Sequence, residues 1–471
     1  MTSTNDGPDP RGDEACFASI ACLADWFHRR VVSPVDLIET VLQKIDRLDR
    51  NLGAYVWLDK EGARGAARNA LTAIDTDMAT GPLCGIPIAV KDTIDVRGLP
   101  TTNGSRACPA RPVASDAEVV KRLRRAGAVI VGKTNTHEFG LGGTTANGLL
   151  TTRNPWNPAR IPAGSSGGSA VAVAAGMAVA ALGGDAGGSI RAPAAWCGVA
   201  GLRPTLGIVP GGGATSLSPT IDTIGPMARH SSDVLSVLDV IADLKHRRGL
   251  SRGELSGKIP YGTEILVPSR LLHDLCDDEV AAACETGAKW FAAAGASVRS
   301  MEWPVELLID SQQAVMSLIA VESSTRLGHL DPNLLGDDVR AVIARGRALG
   351  PQAIERIRGV VERLGRLLGD CLDTGAIVLT PVWPCDPPPA GGGPVCINGR
   401  PRAYDKVRSL FTATASLLGL PQAVFNAGFS CHGLPIGLQL LGKRYSDSVL
   451  LCLAAAFEGA NDHSQRRPTA T

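Results

Sequence analysis

The sequence lacks the features that mark membrane, secreted and nucleic-acid-binding proteins. Its 47 Lys and Arg nearly balance its 46 Asp and Glu, so neither nucleic acid nor a membrane surface is expected as a partner. Its most apolar stretch, residues 170–182, falls short of the ~20 residues of a membrane span and is predicted to be a core helix. The N-terminus has neither the basic start nor the apolar core of a signal peptide, which predicts a flexible leader over residues 1–14 and a cytoplasmic protein.

Patterns for metal and cofactor binding are also missing. The 12 cysteines are dispersed without a C-x-x-C pair, which argues against a zinc site. The eight histidines do not form H-E-x-x-H, and no glycine-rich phosphate loop is identified. We therefore expect neither a metal nor a cofactor.

Helical and strand-like segments alternate along the chain, which predicts an α/β architecture. Short apolar runs at residues 86–90 and 128–131 are typical of buried strands, and they lead directly to Lys91 and to Gly132-Lys133. Neither a repeat nor a linker divides the chain, so residues 15–471 are expected to form one domain. Its strongest motifs lie within about residues 80–235, and about residues 245–400 are expected to cover a pocket.

Two glycine-rich motifs place serines where backbone can approach a ligand closely: G-S-S-G-G-S at residues 164–169 and G-G-D-A-G-G-S-I-R at residues 183–191. The first motif also satisfies the nucleophile-elbow pattern G-x-S-x-G, which would make Ser166 the nucleophile of an α/β-hydrolase. That elbow requires a strand directly before it. Three prolines at positions 155, 158 and 162 make a central strand there unfavourable.

The order and spacing of the motifs resemble the amidase signature family. In that family G-S-S-G-G-S, a helix of small residues and G-G-S-I-R follow one another, and here Ser165 and Ser189 are 24 positions apart as in the family. Residues 85–92 resemble the strand that carries the family's catalytic lysine, at Lys91. The resemblance covers most of the chain, because further similar segments lie at residues 132–135, 152–156, 197–204 and 434–442.

The resemblance implies that Ser189 is the nucleophile, Ser165 a bridging serine that follows a cis peptide bond, and Lys91 the base. Elementary chemistry agrees, because a serine hydroxyl needs a neighbour that removes its proton and the motifs contain no histidine. A neutral lysine reached through a second hydroxyl is then the remaining acceptor. Burial at the end of an apolar strand would lower the lysine pKa as this role requires.

The loop before the nucleophile is expected to bind the oxyanion through successive backbone N–H groups. Asp185 and Arg191 are expected to hold this loop by charge-assisted hydrogen bonds, and Ser166 either competes for the relay or binds backbone. Two departures from the family, Gly184 in place of Ser or Thr and Ala186 in place of Thr, remove hydroxyls that would steady the loop. The predicted oxyanion donors are Ala186, Gly187, Gly188 and Ser189.

The fold implied by the resemblance is a three-layer α/β/α arrangement around a large mixed sheet. The implied function is hydrolysis of linear or small carboxamides, with release of ammonia or an amine and a carboxylic acid, by a homodimer. Phe139 and Gly140 align with residues that border the acyl pocket of the family, whereas Lys133 is interpreted as structural. The polar run at residues 142–147 indicates a compact or polar substrate.

Two alternatives remain open. The chain also resembles the glutamine-hydrolysing component of a tRNA-dependent amidotransferase, which would need partner subunits. Against this, residues 411–419 contain no acidic residue of the kind that such proteins use to hold the amino group of glutamine. The other alternative is a non-catalytic scaffold that retains the fold, which only Gly184 and Ala186 suggest.

Overall fold

The computed structural model of the chain describes residues 12–78, 81–243, 259–390 and 393–468. The helices of these ranges are α1 (Ile20–His28), α2 (Pro34–Leu52), α3 (Lys60–Asp75), α4 (Glu118–Arg125), α5 (Gly167–Ala174), α6 (Arg191–Cys197), α7 (Ser231–Ile241), α8 (Ser269–Leu275), α9 (Asp278–Ala293), α10 (Val305–Leu327), α11 (Asp337–Ala348), α12 (Pro351–Asp373), α13 (Tyr404–Val407), α14 (Ala413–Leu418) and α15 (Asp447–Gly459). The strands are β1 (Tyr55–Leu58), β2 (Pro87–Lys91), β3 (Val129–Thr134), β4 (Ala180–Asp185), β5 (Ala200–Arg203), β6 (Thr223–Ala228), β7 (Glu264–Val267), β8 (Ser297–Ser300), β9 (Ile377–Pro381), β10 (Val395–Ile397), β11 (Arg400–Arg402), β12 (Gln422–Phe429) and β13 (Pro435–Leu441).

Eleven of these strands form one mixed sheet in the order β1-β3-β2-β4-β6-β5-β12-β13-β9-β7-β8. Strand β2 runs parallel to both β3 and β4, whereas β6, β5, β12 and β13 pair antiparallel with their neighbours. The strands that carry the motifs are buried along nearly their whole length, as expected when helices cover both faces of a sheet. The predicted α/β/α fold is therefore confirmed.

Local sequence signals determine both ends of α2. Ser33 caps α2 because its hydroxyl accepts a hydrogen bond from the Asp36 N–H, and the Asp36 carboxylate accepts one from the Ser33 N–H. Pro34 occupies the first helical position. Gly53 ends the same helix with a φ of 61°, a conformation that costs glycine little. The helix therefore delivers the chain directly into β1.

The core helix predicted over residues 170–182 is wrong in its second half. Helix α5 ends at Ala174, the chain turns at Gly176 with a φ of 68°, and β4 begins at Ala180. A run of Ala and Val, broken only by Gly176 and Met177, is compatible with a buried helix or a buried strand, so periodicity could not separate the two. The correction matters because β4, and not a helix, leads into the loop before Ser189.

The boundary of the predicted leader also needs correction. Residues 1–11 lie outside the described residues, but Asp13 and Glu14 already belong to a 3-10 helix, Asp13–Phe17. Asp13 pairs with Lys44 at 2.9 Å, and Glu14 accepts a hydrogen bond from Arg467 at 2.7 Å. These long-range ion pairs anchor residues that composition alone assigned to a flexible segment. Part of the predicted covering region, residues 245–258, lies outside the described residues as well.

One formal match to the phosphate-loop pattern G-x-x-x-x-G-K-T, at residues 127–134, was missed in the sequence. The structure shows β3 running through it, and Lys133 donates hydrogen bonds of 2.9 Å to Asp92 Oδ1, the Pro100 carbonyl and Thr101 Oγ1. A fully buried lysine tied to three oxygens is unavailable to a phosphate. Lys133 is structural, as predicted.

In the described ranges, no helix combines the length and the hydropathy that crossing a membrane demands. No cluster of three or more His, Cys, Asp or Glu side chains in those ranges is arranged to hold a metal ion.

Candidate active site

The sheet itself brings the lysine strand and the glycine-rich loop together. Strands β2 and β4 are parallel neighbours, with Val90 opposite Leu182, so the end of β2 at Lys91 and the end of β4 at Asp185 lie at the same edge of the sheet. Ser165 reaches this edge from the segment just before α5, whose buried small residues pack closely on β4. Three segments that are far apart in sequence therefore meet at one edge of the sheet.

Lys91 and Ser165 form a direct hydrogen bond at this edge. The Lys91 Nζ lies 2.7 Å from the Ser165 Oγ, and the two residues are 2% and 1% exposed. Burial lowers the pKa of Lys91 to about 8, although the carboxylates of Asp222 and Asp185 oppose the shift. The peptide bond between Gly164 and Ser165 is cis, as the resemblance implied. Lys91 can therefore lose its proton near neutral pH.

Ser189 lines the same cavity as Lys91 and Ser165. Its carbonyl accepts a hydrogen bond of 3.1 Å from the Ser166 N–H, whereas its hydroxyl makes none within the described residues. Hydrogen bonds between catalytic groups are often completed only when substrate binds. The structure therefore leaves the Ser189 hydroxyl available within the cavity.

Ser166 plays a different part from the one the nucleophile-elbow pattern would give it. Its hydroxyl donates to the Gly184 carbonyl at 3.1 Å, and residues 152–166 contain no strand. The strand that an elbow requires is therefore absent. Ser166 joins the start of α5 to the loop before Ser189 through backbone contacts, which is the second of the two roles considered for it.

The predicted set of oxyanion donors loses one member. The Gly188 N–H donates to Asp185 Oδ1 at 3.0 Å, because this tight turn directs that N–H back to the carboxylate that begins it. Within the described residues, the N–H groups of Ala186, Gly187 and Ser189 have no acceptor. Gly188 matters for space instead, since its φ is 127° and a Cβ there would lie 2.6 Å from Thr412 Oγ1. The remaining N–H groups can bind an anion.

Asp185 lies between two buried arginines, of which the sequence identified only Arg191. Arg191 donates to Asp185 through Nη2 at 2.7 Å, and Arg203 donates through Nη1 at 3.1 Å. Burial alone would raise the pKa of Asp185, but the two guanidinium groups outweigh it and hold the pKa well below its usual range. Arg203 also donates to the Asp185 and Ile221 carbonyls at 2.6 Å. This network holds the loop where the family's hydroxyls are missing.

The missing hydroxyl at Gly184 would have space beside the lysine. A Cβ at this position would meet no atom closer than the Lys91 Nζ, at 3.7 Å, and the Asp222 Oδ1, at 4.0 Å. Asp222 is therefore close to Lys91, and burial raises its pKa. Nothing in the motif order pointed to Asp222, because it follows Ser189 on a separate segment.

We expect Asp185→Asn to lower the free energy of unfolding by about 3–5 kcal/mol, because it leaves two buried guanidinium groups without their carboxylate. Urea denaturation followed by circular dichroism measures this change. The matched control is Asp25→Asn, which breaks the exposed pair with Arg29 and should cost about 0–1 kcal/mol. Equal effects of the two substitutions would contradict the structural role given to Asp185.

The cavity wall includes the two predicted pocket residues, Phe139 and Gly140. Of the polar run at residues 142–147, only Gly142 and Gly143 reach it. The rest of the wall is mixed, with polar side chains at Thr93, Thr215, Ser218, Asp222, Arg408 and Ser409. Its apolar side chains are Leu141, Leu217, Met316, Ile319, Val342 and Trp383. The expectation of a compact or polar substrate, drawn from 142–147, stays a prediction, since that run contributes only these two glycines to the wall.

A large mixed sheet that gathers a buried lysine, two serines and a glycine-rich loop in one cavity defines an enzyme of the amidase class. The family model described as Amidase matches residues 36–451, and the chain belongs to the amidase signature family.

The similar proteins within that family are of two kinds, amidotransferase A subunits and amidases. The A subunit of glutamyl-tRNA(Gln) amidotransferase from Desulforudis audaxviator is 34% identical over 489 aligned positions, covering 94% of this chain and 95% of the relative. A crystal structure described as an amidase is 31% identical with a TM-score of 0.84, covering 94% of this chain and 100% of that one. The corresponding Thermotoga maritima amidotransferase protein is 27% identical with a TM-score of 0.75, covering 99% of both chains.

Proposed function

We propose that this chain hydrolyses a carboxamide bond through an acyl-enzyme on Ser189. The observation that carries the proposal is the 2.7 Å hydrogen bond between Lys91 and Ser165 in the cavity that Ser189 lines. The Ser189 proton passes through Ser165 to neutral Lys91 while Ser189 Oγ attacks the carbonyl carbon. The C–N bond then breaks as the nitrogen takes this proton, and water releases the acid from the ester.

The proposed oxyanion site consists of the N–H groups of Ala186, Gly187 and Ser189. Their lack of other acceptors within the described residues leaves them free to stabilise the negative charge that develops on the carbonyl oxygen. The Asp185 network supports the geometry by holding the loop at both ends. Preorganised donors of this kind need no rearrangement when the charge appears.

For the substrate, we propose a small amide that the chain cleaves without partner subunits. Two observations support this choice: the absence of an acidic residue from 411–419, and the higher TM-score with the amidase structure. All proposed reacting groups lie between Lys91 and Ser189 of one chain. We retain cytoplasmic residence and a homodimer as parts of the proposal.

The second candidate is the glutamine-hydrolysing component of a tRNA-dependent amidotransferase, which the curated relatives favour. The two candidates are separated by assaying the purified chain alone on aliphatic amides, aromatic amides and glutamine, without ATP or tRNA. We expect ammonia or amine release from simple amides. Activity confined to glutamine and dependent on added subunits would favour the second candidate.

A serine-directed sulfonyl or phosphonate probe tests the scaffold alternative. We expect it to label Ser189 and to leave the Ser189→Ala variant unlabelled, as shown by peptide mass spectrometry. A chain that the probe never labels would be the inert scaffold.

The pH dependence follows from the environment of Lys91. Since the base works in its neutral form and burial lowers its pKa to about 8, kcat/KM should rise with pH and be half-maximal near that value. The Asp222 carboxylate opposes this lowering, so Asp222→Asn should move the midpoint to lower pH. Asp25→Asn, distant and exposed, should leave the midpoint in place. A profile that falls as pH rises through this range would contradict Lys91 as the base.

A further inference from the structure

The cavity contains a cation that the proposed chemistry does not use. Among its described lining residues, the charged side chains are Lys91, Asp222 and Arg408. Lys91 and Asp222 lie near each other at Gly184, whereas Arg408 lies between α13 and α14. The next residue, Ser409, places its Oγ 3.4 Å from the position of a Cβ on Gly187. Arg408 therefore belongs to the wall that faces the oxyanion loop.

The backbone of Arg408 is held by two hydrogen bonds, whereas most N–H donors of its guanidinium have no partner in the described ranges. Its N–H donates to the Tyr404 carbonyl at 3.0 Å, and its carbonyl accepts from Gln312 Nε2 at 2.8 Å. The Nε forms an ion pair with Asp405 Oδ1 at 2.9 Å without hydrogen-bond geometry, and neither Nη group makes a hydrogen bond within the described residues. A guanidinium carries five N–H donors, and leaving a buried donor unpaired is unfavourable. The guanidinium is therefore positioned by the backbone, and its two Nη groups remain without hydrogen bonds to any described residue.

Among the described residues, nearby carboxylates leave the two Nη groups of Arg408 without a partner. Asp405 pairs only with the Arg408 Nε, and since its side chain is 77% exposed while that of Arg408 is 21% exposed, water screens the pair from the Asp405 side. The pKa of Asp338 is lowered mainly by its hydrogen bond with His137, at 3.0 Å, and less by the charge of Arg408. Asp222 is placed beside Lys91. The guanidinium therefore keeps the capacity to pair with an anion inside the cavity.

We propose that Arg408 binds a carboxylate on the acyl part of the substrate, so that the preferred substrates are monoamides of dicarboxylic acids. The inference rests on the proposed function. A planar guanidinium binds a carboxylate through two parallel hydrogen bonds, and the apolar side chains that share the cavity wall with it, such as Met316 and Ile319, suit the methylene groups that connect acid and amide. One end of the substrate is then held at Arg408 and the other at Ser189.

The test compares glutaramate with pentanamide, which has the same chain length but no carboxylate. We expect the wild-type chain to prefer glutaramate in kcat/KM. Arg408→Met should reduce the ratio of the two kcat/KM values by about 100-fold, as expected for loss of hydrogen bonds to a charged group, and the change should reside mainly in KM. Arg408→Lys should restore part of the ratio. The control Arg345→Met removes an exposed arginine that contacts Ser317 on α10 and should leave the ratio unchanged.

A ratio that Arg408→Met does not change would overturn the inference while the proposed function stands. Failure of the proposed function looks different, because then neither amide is cleaved and the phosphonate probe leaves Ser189 unlabelled. A second measurement covers slow turnover: glutaramate should slow the labelling of Ser189 in the wild-type chain more than in Arg408→Met. Equal protection of both proteins, or none, would also overturn the inference.

Glutamine, which adds an amino group, should bind no better than glutaramate, and a clear preference for it would contradict an acyl subsite built on Arg408 alone.

Discussion

Ser189→Ala should remove turnover of every amide, lowering kcat by about 10⁶-fold, the scale seen when the nucleophile of a serine hydrolase is deleted. The loss is this large because no acyl-enzyme can form without the Ser189 oxygen. The fold should survive, since this hydroxyl makes no hydrogen bond within the described residues and only faces the cavity. Single-turnover ammonia release measures the rate, and the melting temperature checks the fold.

Ser166→Ala provides the matched comparison for Ser189→Ala. The Ser166 hydroxyl binds only the Gly184 backbone, so this variant should lose part of its rate while still forming an acyl-enzyme. The reverse result, an inactive Ser166→Ala and an active Ser189→Ala, would identify Ser166 as the nucleophile, as the elbow pattern implies, and would refute the mechanism.

Lys91→Met should lower kcat by about 10⁴-fold, the upper range for a lost general base. Without the amine, the Ser165 hydroxyl has no acceptor for the proton that it relays from Ser189. The small remaining rate should no longer show the midpoint near pH 8 that Lys91 gives the profile. Metal chelators should change neither protein, and a chelator-sensitive wild-type rate would indicate a metal that the mechanism omits.

Lys133→Met is the control for Lys91→Met, since both lysines are buried at the ends of neighbouring strands. Lys133 is paired with Asp92, so its removal leaves a buried carboxylate without its counter-charge and should destabilise the fold by about 3–5 kcal/mol. Lys91 instead bonds a hydroxyl, and its removal should affect rate far more than unfolding. A chain in which both substitutions mainly affect stability would contradict the distinction between the two lysines.

Local patterns in the sequence were sufficient for much of the fold and for the identity of the proposed reacting groups. The apolar run before Lys91 predicted a buried strand, and β2 follows it because a short apolar segment between turn residues has few alternatives. Ser33 and Pro34 at the start of α2 are a signal of the same local kind, because a helix cap depends on residues a few positions apart. The same reasoning failed at residues 170–182, where Gly176 is the one local signal of a turn and the apolar residues on both sides of it suit a helix as well as a strand.

The sequence by itself determined which residues carry the proposed chemistry, because Lys91, Ser165 and Ser189 lie in motifs whose order and spacing are readable along the chain. Only the tertiary structure decided which other side chains surround them. Arg203, Asp222 and Arg408 were not identified as site residues from those motifs, and they reach the site through the pairing of strands and the packing of α13 and α14. The hydrogen bond that withdraws Gly188 from the oxyanion donors depends on the path of one turn. Such contacts are set by the folding of distant segments against one another, and no short-range pattern encodes them.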